Sequence, residues 1–212
     1  MKIQELEITK IVKRTGDPPE ILQQAGWQVL GYGVDGAVGQ HPTKPLAVKL
    51  YNSRSSYSDF VDYVQSHESN PHLPRFVRYI RDVPGTHLSY VVLEKLQDGG
   101  LYQLVKTHPG EILSLYVIAK KMNRVTIQAE YQFLLDMLRL PQLPQFEELA
   151  TVYQKLRIQP PSQEWTQAVM DLAVMSRKRG LGWDLDEKNV MLRGNTLVIT
   201  DPFYNDTESY TM

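Results

Sequence analysis

A G-x-G-x-x-G-x-V run spans Gly31 to Val38, and Gly39, Pro42 and Pro45 follow directly behind it. Glycine favours bends and proline removes a backbone donor, so no helix can begin here. That excludes the dinucleotide-binding arrangement, in which the last glycine opens a helix. The missing Gly-Lys-Ser/Thr equally excludes a Walker loop. What remains is a glycine-rich turn between two antiparallel strands, able to bring backbone N–H groups close to a phosphate. Three glycines at this spacing arise by chance in roughly one chain of this length in fifteen, at ~7% glycine, so the run gains meaning only from its surroundings.

Those surroundings divide the chain in two. Pro18-Pro19 to Gly26 reads as a short helix with a proline start and a glycine stop, and Ile3, Leu6, Ile11 and Val12 before it stand loosely at helical spacing. Trp27 to Leu30, Ala37 to His41 and Leu46 to Tyr51 read as strands. Ser56 to Ser66 carries Tyr57, Phe60, Val61 and Val64 at near-helical intervals, and two strands, Phe76 to Val83 and Leu88 to Glu94, flank Pro84-Gly85. After Gly99-Gly100 strand texture stops. Helices are expected over Glu111 to Met122, Thr126 to Leu140, Phe146 to Leu156 and Gln163 to Arg179, the last with Ser162 as N-cap and Gly180 as stop. Leu140 to Gln145 reads as a loop, and Val190 to Arg193 with Thr196 to Ile199 reads as a hairpin around Gly194-Asn195.

Two further motifs carry chemistry. Lys49 stands among Leu46, Ala47, Val48 and Leu50 on an apolar strand, where its ammonium seeks an anion, although an edge-blunting lysine would look the same. Near the end runs Trp183-Asp184-Leu185-Asp186-Glu187-Lys188-Asn189, then the hairpin, then Thr200-Asp201-Pro202-Phe203. Folding the hairpin brings Asn189 and Asp201 together, and two such oxygen ligands suit Mg²⁺, which takes its remaining ligands from phosphates and water. The five histidines show no metal-ligand spacing and are expected in loops or turns.

In their order these motifs resemble the protein kinase-like fold. The matching parts are the glycine loop with Gly31, Gly33, Gly36 and Val38, the lysine of Ala47-Val48-Lys49, and a hinge-like stretch from Tyr90 to Leu96. A catalytic loop from Asp184 to Asn189 follows, then Asp201 in a D-P-F where kinases have D-F-G. The resemblance covers about residues 27 to 203. It implies an α+β, two-lobed protein: an N-terminal helical extension (1–26), a β-rich lobe (27–96) and a helical lobe (97–212). It implies ATP held by the glycine loop, Val38, Ala47 and Lys49, with adenine on the backbone from Glu94 to Leu96. Mg²⁺ (or Mn²⁺) would be held by Asn189 and Asp201, and Asp184 would take the proton from the attacking hydroxyl.

Four departures shape the expectation. The helix that should supply an acidic partner for Lys49 offers Asp62 and Asp59, with Glu68 near its end. Asp35 places a negative charge at the loop tip. Asp186 stands where a cation is expected, leaving Lys188 or Arg193 to serve the transferring phosphoryl group. Only eleven residues follow Asp201, so an activation segment and later helices are expected to be missing. The chain thus looks like a minimal kinase, similar to compact phage host-takeover kinases or short bacterial effector kinases.

The expected activity is ATP-dependent transfer to Ser or Thr of host proteins or of the chain itself, with Tyr204, Thr207, Ser209, Tyr210 and Thr211 crowding the tail. A non-catalytic ATP-binding protein acting through a partner, and a small-molecule kinase, are the alternatives. With 23 basic and 24 acidic residues there is no general positive field, so neither nucleic acid nor an anionic membrane is an expected partner. Without a cysteine there is no thiol chemistry, and without a signal-like apolar core the expected location is cytoplasmic, the host cytoplasm included.

Overall fold

The computed structural model describes residues 16–33, 36–121, 128–184 and 189–205, and the protein is α+β. It divides into two compact units, the first holding residues up to Ser66 together with Pro74–Lys95, the second holding His67–Leu73 and the chain from Leu96. Within the stretch 27–96, His67–Leu73 and Leu96 fall in the second unit.

In the first unit the elements are α1 (Pro18–Gln24), β1 (Gln28–Gly33), β2 (Gly36–Gln40), β3 (Leu46–Asn52), α2 (Ser56–Ser66), β4 (Phe76–Ile80) and β5 (Leu88–Glu94). The strands form one antiparallel sheet in the order β1-β2-β3-β5-β4. Successive side chains on a strand point to opposite faces, and here both faces are covered. On one, Val48 and Leu50 join Ala37, Tyr90 and Val92, and α1 closes over them with Ile21 and Leu22. Full burial of side chains this size is worth about 1.5–3 kcal/mol each. The helix stops where expected, with Gly26 at φ 79°.

On the other face α2 turns in Tyr57, Phe60, Val61 and Val64, the residues picked out by their spacing. The strand expected from Phe76 to Val83 ends at Ile80. Asp82 adopts φ 49° and the Val83 N–H donates to the Leu88 carbonyl, so the chain turns earlier than its apolar run suggests. The expected helical texture around Ile3, Leu6, Ile11 and Val12 lies outside the described residues.

The second unit is mostly helical: α3 (Leu101–Thr107), α4 (Pro109–Lys121), α5 (Gln128–Leu138), a 3₁₀ turn (Phe146–Glu148), α6 (Leu149–Leu156) and α7 (Gln163–Arg179). Helix α4 is apolar nearly all round and buried from Ile112 to Ala119, the pattern of a central helix. Trp165 of α7, fully buried, donates its indole N–H to the Glu111 carbonyl and the Ser114 hydroxyl of α4. Helix α7 is capped as its sequence predicts: the Ser162 hydroxyl accepts from the Trp165 N–H at 3.1 Å, and Gly180 ends it at φ 70°. Helix α3 opens the stretch from about Leu101 to Arg179 expected to be helical, but its own bounds were not legible, because seven residues carry too little periodicity. Among the described residues no helix is long and apolar enough to cross a membrane.

Four short strands complete this unit. β6 (Leu181–Trp183) pairs antiparallel with β9 (Phe203–Asn205), and β7 (Val190–Arg193) pairs with β8 (Thr196–Ile199) as the expected hairpin. The segment His67–Leu73 is stitched onto them. Arg193 donates to the carbonyls of Pro71 (2.7 Å) and Leu73 (2.8 Å), and the Ile199 N–H donates to the His72 carbonyl. His72 is buried between the Leu197 carbonyl and the Ser162 hydroxyl, both at 2.9 Å. Nδ1 must donate to the carbonyl, which leaves Nε2 to accept from the serine. His108 is likewise buried with Nε2 on the Asn195 carbonyl, and His41 is buried with Nδ1 accepting the Thr43 and Lys44 N–H groups. Histidines expected in loops are there, and they serve as internal staples.

Candidate functional site

Sheet register gathers the first set of candidate residues. Gly31 pairs with Val38, Val38 with Lys49 and Lys49 with Val91, so these four form one row across β1, β2, β3 and β5. Directly opposed residues share a face, and Ala47, opposite Leu93, lies on the face of Lys49. The glycines differ in what requires them. A Cβ on Gly36 would lie 2.0 Å from the Leu50 carbonyl oxygen, and its φ is 149°, so the backbone of β3 forbids any side chain there. Among the described residues, a Cβ on Gly31 or Gly33 meets nothing within 4 Å. Among those residues neither packing nor a positive φ requires glycine at either position.

Lys49, half-buried, has its ammonium 3.7 Å from the ring centroid of Tyr57 on α2. Asp59 is half-buried on the same helix. Asp62, the favoured acidic partner, is paired elsewhere, with its carboxylate 3.2 Å from the Arg81 guanidinium. That carboxylate, with smaller help from Tyr79, raises the Arg81 pKa further above its ordinary value. Glu68 stands beyond the end of α2, exposed, in the segment belonging to the second unit.

The hinge-like stretch is also partly committed. The Glu94 N–H donates to the Arg75 carbonyl and the Lys95 N–H to the Pro45 carbonyl. Of the backbone donors expected to meet adenine between Glu94 and Leu96, those two are taken by the sheet and its adjoining turn. Leu96 itself is buried and begins the second unit's run.

The second set lies within the second unit. Asp184 follows β6, Asn189 precedes β7, and Asp201 lies between β8 and β9. Three hydrogen bonds draw these connections together: Asp184 N–H to the Pro202 carbonyl (2.8 Å), Thr200 N–H to the Asn189 carbonyl (2.9 Å), and Asn189 Nδ2 to the Asp184 carbonyl (3.3 Å). The last fixes the amide, with Nδ2 donating and Oδ1 remaining as an acceptor. No group of three or more His, Cys, Asp or Glu capable of holding a metal occurs among the described residues. One carboxylate and one amide oxygen fit Mg²⁺ carried in on phosphates, and do not fit an all-protein cage.

What holds Asp184 near Asp201 is the β6–β9 pair, which sequence reasoning missed. Three-residue strands carry no usable alternation. Trp183 pairs with Phe203 and the rings meet edge to face, centroids 5.6 Å apart. Gly182 pairs with Tyr204, whose ring lies across it so closely that a Cβ there would fall 2.1 Å from Tyr204 Cζ. Leu30, just before Gly31, is 54% exposed at a bulge.

Arg193, considered for the transferring phosphoryl group, has its guanidinium on the Pro71 and Leu73 carbonyls. Asp35, Asp186, Lys188, Thr207, Ser209, Tyr210 and Thr211 lie outside the described residues. In comparisons with known proteins, no family model matches the chain, and no curated protein matches it significantly.

Proposed function

We propose that this protein is an ATP- and Mg²⁺-dependent phosphotransferase on a kinase-like fold, a minimal Ser/Thr protein kinase. The observation that carries the reading is the junction of Asp184, Asn189 and Asp201. Three residues chosen for their order and spacing lie on connections tied to one another by hydrogen bonds. Further support comes from the row Gly31, Val38 and Lys49 on an antiparallel sheet whose single internal helix falls between its third and fourth strands. This element order supports the reading of a β-rich lobe that the resemblance implies.

In this reading the backbone at Gly31 and Gly33 lies along the ATP phosphates, and Lys49 binds the α- and β-phosphates. Val38 and Ala47 line the base. Asn189 Oδ1 and the Asp201 carboxylate hold Mg²⁺, which when bound neutralises charge on the phosphoryl oxygens. Asp184 accepts the proton of a Ser or Thr hydroxyl as its oxygen bonds to the γ-phosphorus and ADP departs. Positioning and charge neutralisation supply most of the rate, because phosphoryl transfer asks little covalent work of the protein.

The test is incubation of the purified protein with γ-labelled ATP and a cell lysate, with Mg²⁺ or Mn²⁺. Label is expected in protein bands, and is expected to vanish in Lys49→Ala, Asp184→Asn and Asp201→Ala. Label found only in a low-mass fraction would move the substrate class to small molecules. No transfer with either metal would sink the reading.

A further inference from the structure

We propose that Tyr57 is the positioning residue for Lys49, holding the ammonium by a cation–π contact so that it meets the nucleotide phosphates; this rests on the nucleotide-binding role given to Lys49 above. A lysine ammonium is a point charge on a flexible four-carbon stem, and something must select its direction. An aromatic face attracts such a cation within about 6 Å of its centroid, and the Lys49 ammonium stands 3.7 Å from that of Tyr57.

The ring is itself fixed. Tyr57 is 2% exposed, packed edge to face against Tyr51 with centroids 4.9 Å apart and tilted against Phe60 at 5.7 Å. It cannot swing aside without opening the interface between α2 and the sheet. A ring also does something a carboxylate does not. It orients the ammonium through its quadrupole and leaves the net positive charge intact, available to an incoming phosphate. Because Tyr57 lies in the first turn of α2, the direction of Lys49 is tied to how that helix seats on the sheet. In the sequence Tyr57 read only as part of the apolar stripe.

The test replaces Tyr57 with phenylalanine and then with phenylalanines of increasing ring fluorination, which drain the negative face of the ring at nearly constant shape. Affinity for MgATP is measured by titration, and the Lys49 ε-methylene resonances are read by NMR without nucleotide. Tyr57→Phe keeps the negative face of the ring and is the reference of the series. The dissociation constant should then rise stepwise with fluorine number, by about tenfold at full fluorination. A ring serving only as packing would give a flat series, which would overturn the proposal.

In wild type the Lys49 ε protons should lie upfield of every other lysine and return among them in Tyr57→Leu. Wild-type resonances already among the others would also overturn it. No MgATP binding by wild type, with the upfield shift present, would instead overturn the proposed function and leave the contact standing.

Discussion

Gly36 and Gly182 both leave no room for a side chain, and they do so for different reasons. Gly36 is pressed against the backbone of β3 and adopts a φ that L residues avoid. Gly182 is pressed only by the far end of the Tyr204 ring. In the first unit the candidate residues stand on a regular sheet whose register alone brings them together. In the second they stand on connections between very short strands, and ring packing holds those strands in place. A site built on ladder hydrogen bonds tolerates little change of backbone and much change of side chain. One clasped by aromatic rings behaves the other way.

Gly36→Ala should be the most damaging change, costing about 3–5 kcal/mol from backbone strain and overpacking together. Chemical denaturation would read it, and no second substitution among neighbouring side chains should restore the loss. Gly182→Ala should cost less, about 1–3 kcal/mol, and Gly182→Ala combined with Tyr204→Ala should recover part of it. If the double variant is no more stable than the single one, the clasp is not what Gly182 makes room for.

Ser162→Ala removes the N-cap of α7 and the hydroxyl that His72 accepts from, at about 1–2 kcal/mol. The loss should appear in the thermal midpoint, while Thr at the same position should retain most of the stability. Gly31→Ala and Gly33→Ala meet no described atom within 4 Å and should leave stability within about 0.5–1 kcal/mol of wild type. Both should weaken MgATP binding, and unchanged affinity would detach the glycine loop from the nucleotide.

The smallest effect is a pH dependence. His41 Nδ1 accepts the N–H groups of Thr43 and Lys44, each at 3.1 Å, so a proton added there would face two donors. Burial, and after it the Lys44 charge, holds the His41 pKa below its ordinary value. The unfolded chain therefore takes up the proton first as pH falls. The contribution to stability is present above about pH 6.5 and is lost below it, toward the lower folded value. His41→Asn can still accept both N–H groups without titrating. Its thermal midpoint should fall less steeply between neutral and mildly acid pH than that of wild type.

Much of this was legible from residues alone. The five sheet strands, α2, α7 with its Ser162 cap and Gly180 stop, and the hairpin at Gly194-Asn195 all follow local rules, and the structure has them with boundaries shifted by a few residues. Candidate residues such as Val38 and Lys49 could each be placed on a strand, and the register that sets them side by side came from the structure. The β6–β9 pair could not, since its pairing joins segments separated by a whole hairpin and neither segment is long enough to show alternation. The surroundings of Lys49 were only partly legible for a related reason. A search for charge found Asp62, which pairs with Arg81, whereas the ring under the ammonium looks in sequence like any buried tyrosine.

By itself, then, the sequence determined which segments bend, which extend and which coil, together with the chemical groups available, because glycine, proline, periodicity and caps act within a few residues. Only the tertiary structure decided that Asp184 and Asp201 lie on adjoining connections, that His67–Leu73 leaves its sequence neighbours for the second unit, and that Tyr57 faces Lys49. Those outcomes depend on packing and hydrogen bonds between residues far apart in the chain, whose energies have no local signature.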